Sequence, residues 1–229
     1  MNAPPIRCVC TALALALALS APVAGADLAV GGGSFRVNVA SLKEARYQTT
    51  ARQQLDFSCG SAALATLLTY HYDYPLSEQV AFEEMFRGGD QARIRRDGFS
   101  LLDIKRFLAT RGFAADGFEL PLEKLTEAGF PAIVLLVENG YHHFVVVKGL
   151  RDDRVLIGDP SGGTRAMGRG RFDAAWQNHL LFVIHDTPGK PRFNAAADWR
   201  LAPQARPGDA IERDGLQRLS LPMLGDGNF

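Results

Sequence analysis

The sequence has no surplus of charge. Lys and Arg total 25 and Asp and Glu total 25, so the chain lacks the basic footprint that nucleic acid demands. The arginine groups Arg93, Arg95, Arg96 and Arg165, Arg169, Arg171 read as solvated faces, not as a phosphate track. It has no internal repeat, which excludes solenoids and propellers. No His-x3-His or Cys-x2-Cys spacing links His71, His142, His143, His179 and His185, so no metal site is expected. Gly31-Gly32-Gly33 lacks the strand-to-helix context of a phosphate loop, and no cofactor is expected either. What remains is ordinary: apolar residues at 47% and charged residues at 22% exclude a disordered chain, a collagen-like repeat and a coiled coil. The 229 residues suit one domain with appendages.

Long apolar runs are also missing. Arg7 precedes a stretch from Thr11 to Ser20 in which Ala alternates with Leu, and Pro22 breaks it. The run is too short to span a bilayer comfortably. Ala24-Gly25-Ala26 then forms a small-x-small site before Asp27, the form of a secretory signal peptide. Residues 1–26 are therefore expected to be removed, with no integral span left afterwards. Cysteine is scarce as well: Cys8 and Cys10 leave with the signal and Cys59 stays. A single thiol in an exported protein cannot form an internal disulfide. It is either a small buried hydrophobe or a nucleophile.

Residues 27–46 read as an N-terminal extension with a short edge strand around Phe35, Val37 and Val39. Helices are expected at 59–71 (CGSAALATLLTYH), 77–86, 100–111 and 121–128. Ser100 with Asp103 makes a capping-box start, and Gly112 and Gly129 follow as stops. Strands are expected at 132–137, 144–147, 154–158 and 180–184, with a helical connection at 172–178. Trp176, Phe172 and Phe182 read as core. Helices first and strands later mean segregated α+β. From Thr187 onward, prolines interrupt the pattern and an irregular tail is expected over 187–229, either wrapping the domain or partly disordered.

Cys59 stands where a loop enters the Ala-rich helix, where unpaired N–H groups favour a thiolate. Ser58 is placed to cap that helix, and Gly60 to clear space for a substrate backbone. Gln53, six residues upstream, can donate to an oxyanion. A base is offered by His142 or His143 at the start of a strand, and an orienting acid by Asp159 after Gly158. Ser58 and Ser61 have no separate base, so a serine hydrolase is not expected.

Three blocks carry a resemblance: Gln53-x5-Cys59-Gly60, His143-Phe144-Val145-Val146 and Asp159-Pro160. Together, over about residues 47–186, they resemble the bacteriocin-processing, double-glycine leader cysteine peptidases. That resemblance implies a compact papain-like α+β fold, with the nucleophile helix of an N-terminal helical half packed on a C-terminal antiparallel sheet. It implies Cys59 as nucleophile, His143 as base, Asp159 as orienter and Gln53 as oxyanion donor. The Cys-Gly-x-Cys-aromatic signature of the larger papain group is absent. Stretches such as GFSLLDIKRFL and GYHHFVVVKG are similar to stand-alone periplasmic members encoded with functional-amyloid secretion systems. The implied function is an exported, periplasmic cysteine endopeptidase acting on a fibre subunit or secretion component. The alternative is a papain-like module that binds such a peptide without cutting it. Acyl transfer by the same residues is a third option.

The roles of His143 and Asp159 impose a condition on the hairpin between them. If Asp152-Asp153 forms a two-residue turn, Arg151 faces Arg154, and unbroken pairing sets His143 opposite Gly162. Asp159 then points to the other face of the sheet. An odd-length loop around Leu150 to Asp153, or a bulge in one strand, brings both onto one face. Without either, Asn178 or another polar residue has to be sought as the orienter.

Overall fold

The structure, a computed structural model, describes residues 25–30, 33–38, 41–187 and 190–202. The chain divides into two units, residues 1–41 and 42–229. In the first, β1 (Gly25–Val30) and β2 (Gly33–Asn38) pair antiparallel, with Gly25 opposite Asn38 and Val30 opposite Gly33. The strand expected around Phe35 is β2, whereas β1 was not foreseen. The expected cleavage point falls inside β1; the apolar segment before it lies outside the described residues.

The second unit opens with α1 (Leu42–Ala45), α2 (Cys59–His71), α3 (Glu78–Gly88), α4 (Gln91–Asp97) and α5 (Leu101–Thr110). Then come β3 (Ala114–Glu119), α6 (Glu123–Ala128), β4 (Ala132–Glu138), β5 (Tyr141–Arg151), β6 (Arg154–Asp159) and β7 (Gly163–Gly168). Helix α7 (Arg169–Ala175), a 3-10 turn (Gln177–His179), β8 (Leu180–His185) and α8 (Ala196–Arg200) complete it. The six strands form one antiparallel sheet in the order β3-β8-β4-β5-β6-β7. This is the expected α+β arrangement of helical half and antiparallel sheet. Among the described residues no helix is long and apolar enough to cross a membrane.

Helix α2 is apolar on every side and correspondingly buried, from Cys59 through Leu68. Its Leu64, Leu67 and Leu68 pack with Met85 of α3, Ile104 and Leu108 of α5, and the sheet residues Phe144, Val146 and Phe182. Helix α5 begins at the capping box read from the sequence. Ser100 Oγ accepts from the Asp103 N–H, and the Asp103 carboxylate accepts from the Ser100 N–H. The other face of the sheet carries a second core, where Val145 and Val147 meet Leu125, Phe172 and Trp176. Strand β5 is thus buried on both faces, which is why it reads as an apolar run without alternation. Burying each such side chain contributes roughly 1.5–3 kcal/mol.

Residues 190–202 belong to the domain rather than trailing from it. Trp199 and Asp198 of α8 are buried, and Arg151 and Arg154 lie over the Trp199 ring at 4.6 and 5.6 Å.

The β5–β6 hairpin decides the site. Its turn is the two-residue Asp152-Asp153 turn, with Asp152 at φ 54° and Arg151 opposite Arg154. Leu150 faces Val155 and Gly149 faces Leu156, but Val147 faces Ile157 and Val146 faces Gly158. The register shifts by one residue across Lys148, a β-bulge in β5. Beyond the bulge, His143 and Asp159 stand on the same face, diagonally placed. Of the arrangements the sequence left open, this is the bulged strand.

Candidate active site

Cys59 is the first residue of α2 and only 6% exposed. Ser58 does not cap the helix, contrary to expectation. Its hydroxyl turns back instead, donating to Leu55 O at 3.0 Å and accepting from the Leu55 N–H at 3.1 Å. The first turn of α2 therefore has no side-chain cap, and its N–H dipoles converge beside the thiol. Gly60 has a packing role besides the expected one. A Cβ there would stand 2.9 Å from Phe99 Cβ, so the glycine admits the packing of Phe99.

His143 is buried, and its Nε2–H donates to Asp159 Oδ1 at 2.8 Å. The same oxygen accepts from Ser161 N–H at 2.8 Å, Ser161 Oγ at 2.7 Å and Gly162 N–H at 3.2 Å. The second oxygen, Oδ2, takes Nε and Nη2 of Arg165, each at 2.9 Å. Burial alone pushes the Asp159 pKa up. The His143 hydrogen bond and charge, Ser161 and Arg165 outweigh it and hold the carboxyl well below the usual range. For His143, burial disfavours the charged ring. The Asp159 hydrogen bond and then the Cys59 thiol overcome that, and the pKa is lifted to about 9. With Nε2 committed to Asp159, Nδ1 is the nitrogen left for Cys59; it is buried and makes no hydrogen bond to any group in the structure.

The loop ahead of Cys59 is tied to the loop after Asp159 by Gln53 N–H donating to Pro160 O at 3.1 Å. The Gln53 side chain donates from Nε2 to Leu55 O at 3.2 Å, and its Oε1 is buried without a partner. The amide thus sits in the loop before Cys59, but its donor is turned to the backbone. Tyr141 closes the other side. Its ring stacks on His143 with centroids 5.8 Å apart, and its hydroxyl donates to Asp56 O at 2.9 Å.

A cavity of about 470 Å³ opens beside the thiol, lined by Cys59, Phe99, Leu102, Leu135, His142 and Phe144. The two adjacent histidines are therefore separated by the pleat: His142 faces the cavity and His143 meets Asp159. Sequence reasoning missed Arg165, Ser161 and Tyr141. Ile157 pairs with Arg165 and Asp159 with Gly163, so Asp159 and Arg165 share a face, but that pairing belongs to β7, a strand the sequence did not mark.

Residues 47–187 match the Peptidase C39 family. The chain belongs to the Peptidase C39 family. It is a cysteine peptidase. The probable functional amyloid protease FapD of Pseudomonas aeruginosa is 38% identical over 154 residues, covering 67% of this chain and 68% of that protein. The protein of the same name from Pseudomonas fluorescens is 35% identical over 190 residues, covering 81% and 83% respectively. Among solved structures, the peptidase domain of Streptococcus ComA, a bifunctional ABC transporter, superposes with a TM-score of 0.51 at 21% identity. It covers 62% of this chain and all of that domain, a likeness of fold. The family's matched range ends at residue 187, so α8 and the segment leading to it lie beyond it.

Proposed function

We propose that this C39 peptidase is exported and cleaves a peptide bond in a protein of an export or functional-amyloid fibre system. The observation that carries the reading is the juxtaposition of Cys59, at the uncapped start of α2, with an imidazole held by Asp159. The likeness to the two probable functional amyloid proteases FapD supports the substrate class. The apolar run ending in Ala24-Gly25-Ala26 supports export to the periplasm.

The Cys59 thiolate attacks the scissile carbonyl carbon, forming a C–S bond, and the carbonyl electron pair moves onto oxygen. The Cys59 backbone N–H and the Gln53 amide, once turned from Leu55 O, donate to that oxyanion. The oxyanion collapses and the C–N bond breaks. The proton on His143 Nδ1 goes to the leaving amine. Water then adds to the thioester, giving its proton to the same nitrogen, and the C–S bond breaks to release the acid product and restore the Cys59 thiolate beside the His143 imidazolium. Asp159 keeps the ring oriented and charged but does not take the proton.

The test is incubation of purified protein with the products of neighbouring genes, followed by mass spectrometry. New peptide termini are expected with wild type and none with Cys59→Ala. Binding without new termini in either would leave the non-cutting module as the correct reading.

A further inference from the structure

We propose that the segment Arg192–Ala202, through Asn194 and Asp198, is a register clasp: it holds the Lys148 bulge that brings Asp159 onto the face of His143. The inference rests on the Cys59–His143–Asp159 reading above and adds the positioning residues on which it depends.

A bulge leaves one residue unpaired and its backbone groups in need of partners. Here Asn194 supplies partners for Lys148 O and for the neighbouring Leu150 N–H. Its backbone N–H donates to Lys148 O at 2.9 Å, and its Oδ1 accepts from Leu150 N–H at 2.8 Å. Asn194 takes a left-handed φ of 57°, and Trp199 Nε1 donates to the same Oδ1 at 3.2 Å. Gly149 makes the approach feasible, because a Cβ there would stand 2.3 Å from Asn194 Oδ1. The bulged side chain is secured as well. Lys148 is fully buried, and its Nζ donates to Asp198 Oδ1 at 2.9 Å, Thr49 O at 2.8 Å and Thr49 Oγ1 at 2.7 Å. Thr164 Oγ1 is a further acceptor at 3.2 Å. Its stem crosses Gly158, where a Cβ would come within 3.1 Å of Lys148 Cδ.

The consequence follows from strand parity. The Asp152-Asp153 turn fixes Arg151 opposite Arg154. With Lys148 in the chain and no bulge, pairing from that turn runs one residue out of phase and places Asp159 on the face opposite His143. A buried ammonium deprived of its carboxylate is costly, which favours turning Lys148 outward and ironing out the bulge. None of the clasp residues lines the cavity beside Cys59. Losing them should therefore affect turnover rather than substrate capture.

The experiment uses the full chain carrying Asn194→Ala and Asp198→Asn. Three quantities are read: circular dichroism for folding, kcat and KM on a cleaved substrate, and titration of the His143 ring by NMR. The groups facing that ring are Asp159 from β6, Cys59 from α2 and Tyr141 from β5. The expected result is a folded protein with kcat reduced roughly 10²-fold and KM within about twofold. Its His143 titration falls from about 9 toward the ordinary histidine range. Deleting Lys148 in the same background removes the extra residue. The regular ladder then restores phase, so kcat and titration should both recover. A merely structural clasp would lower the melting temperature and leave the His143 titration where it was. A folded double variant with wild-type kcat and titration overturns the inference, as does a folded deletion variant that does not recover. If the double variant fails to fold, the Lys148 deletion with Asp198→Asn decides alone, by titration: folded with the His143 titration still near about 9 supports the clasp, folded with it in the ordinary histidine range sinks it. The titration needs no substrate. A protein that cleaves nothing but loses its raised His143 titration keeps the clasp and defeats the peptidase reading alone.

Discussion

Asp159 is held on both oxygens, by His143, Ser161 and Gly162 on Oδ1 and by Arg165 on Oδ2. A carboxylate with that many donors stays ionised and cannot act as a proton store, so in the proposed mechanism its work is to fix and charge the imidazole. Asp159→Asn is expected to lower kcat/KM by about 10² or more while leaving the fold intact, measured by steady-state kinetics beside circular dichroism. In the proposed mechanism the proton on His143 also sets the pH profile. Its pKa is raised to about 9, so the imidazolium needed by the leaving amine persists through neutral pH and is lost as pH climbs through about 9. The alkaline limb of kcat/KM should fall there and move toward neutral pH in Asp159→Asn. Stability follows the same sign. A raised histidine contributes fully below its unfolded value of about 6.5, and the contribution disappears through about 9. A rise of this size is worth up to about 3 kcal/mol, so the melting-temperature gap between wild type and His143→Gln should narrow across that window. Cys59 and Asp159 were legible in the sequence because their neighbours announce them: a loop meeting an Ala-rich helix, and an acid between Gly158 and Pro160. Arg165 was not, because an arginine in a basic cluster resembles any solvated charge until strand pairing is known.

At the level of elements, legibility tracked periodicity and caps. Helix α5 was readable from Ser100 and Asp103, and the capping box is present. Ser100→Ala should cost about 1 kcal/mol, seen in urea unfolding, since it removes the acceptor for the Asp103 N–H. Helix α4 was missed because QARIRRD carries one buried residue, Ile94, and shows no apolar stripe. Strands β3 (AADGFE) and β7 (GTRAMG) were missed because glycine, alanine and aspartate are poor strand signals, and pairing overrides propensity. The packing role of Gly60 was not legible, since only the fold brings Phe99 to it. Gly60→Ala must push Phe99 or α2 aside and should cost about 1–3 kcal/mol in thermal or urea unfolding.

For the whole molecule, one strand irregularity connects sequence, fold and chemistry. The Asp-Asp turn fixes the near half of the β5–β6 hairpin, Lys148 adds one residue, and the far half delivers His143 beside Asp159. That need was readable by counting along the chain. The residues that hold the bulge were not, because they come from the proline-interrupted stretch beyond the family domain, where no pattern marks them. Export belongs to this scale too: N-terminal sequencing of the secreted protein should begin at Asp27, and a start at Met1 would sink the periplasmic reading. The most direct test of the Cys–His–Asp site is the titration of the His143 ring, read by two-dimensional NMR and assigned with His143→Gln. The expected result is a ring protonated at both nitrogens through neutral pH, losing its proton near about 9, with a lower midpoint in both Asp159→Asn and Cys59→Ala. A midpoint near the ordinary value of about 6.5, unmoved by either substitution, would contradict it.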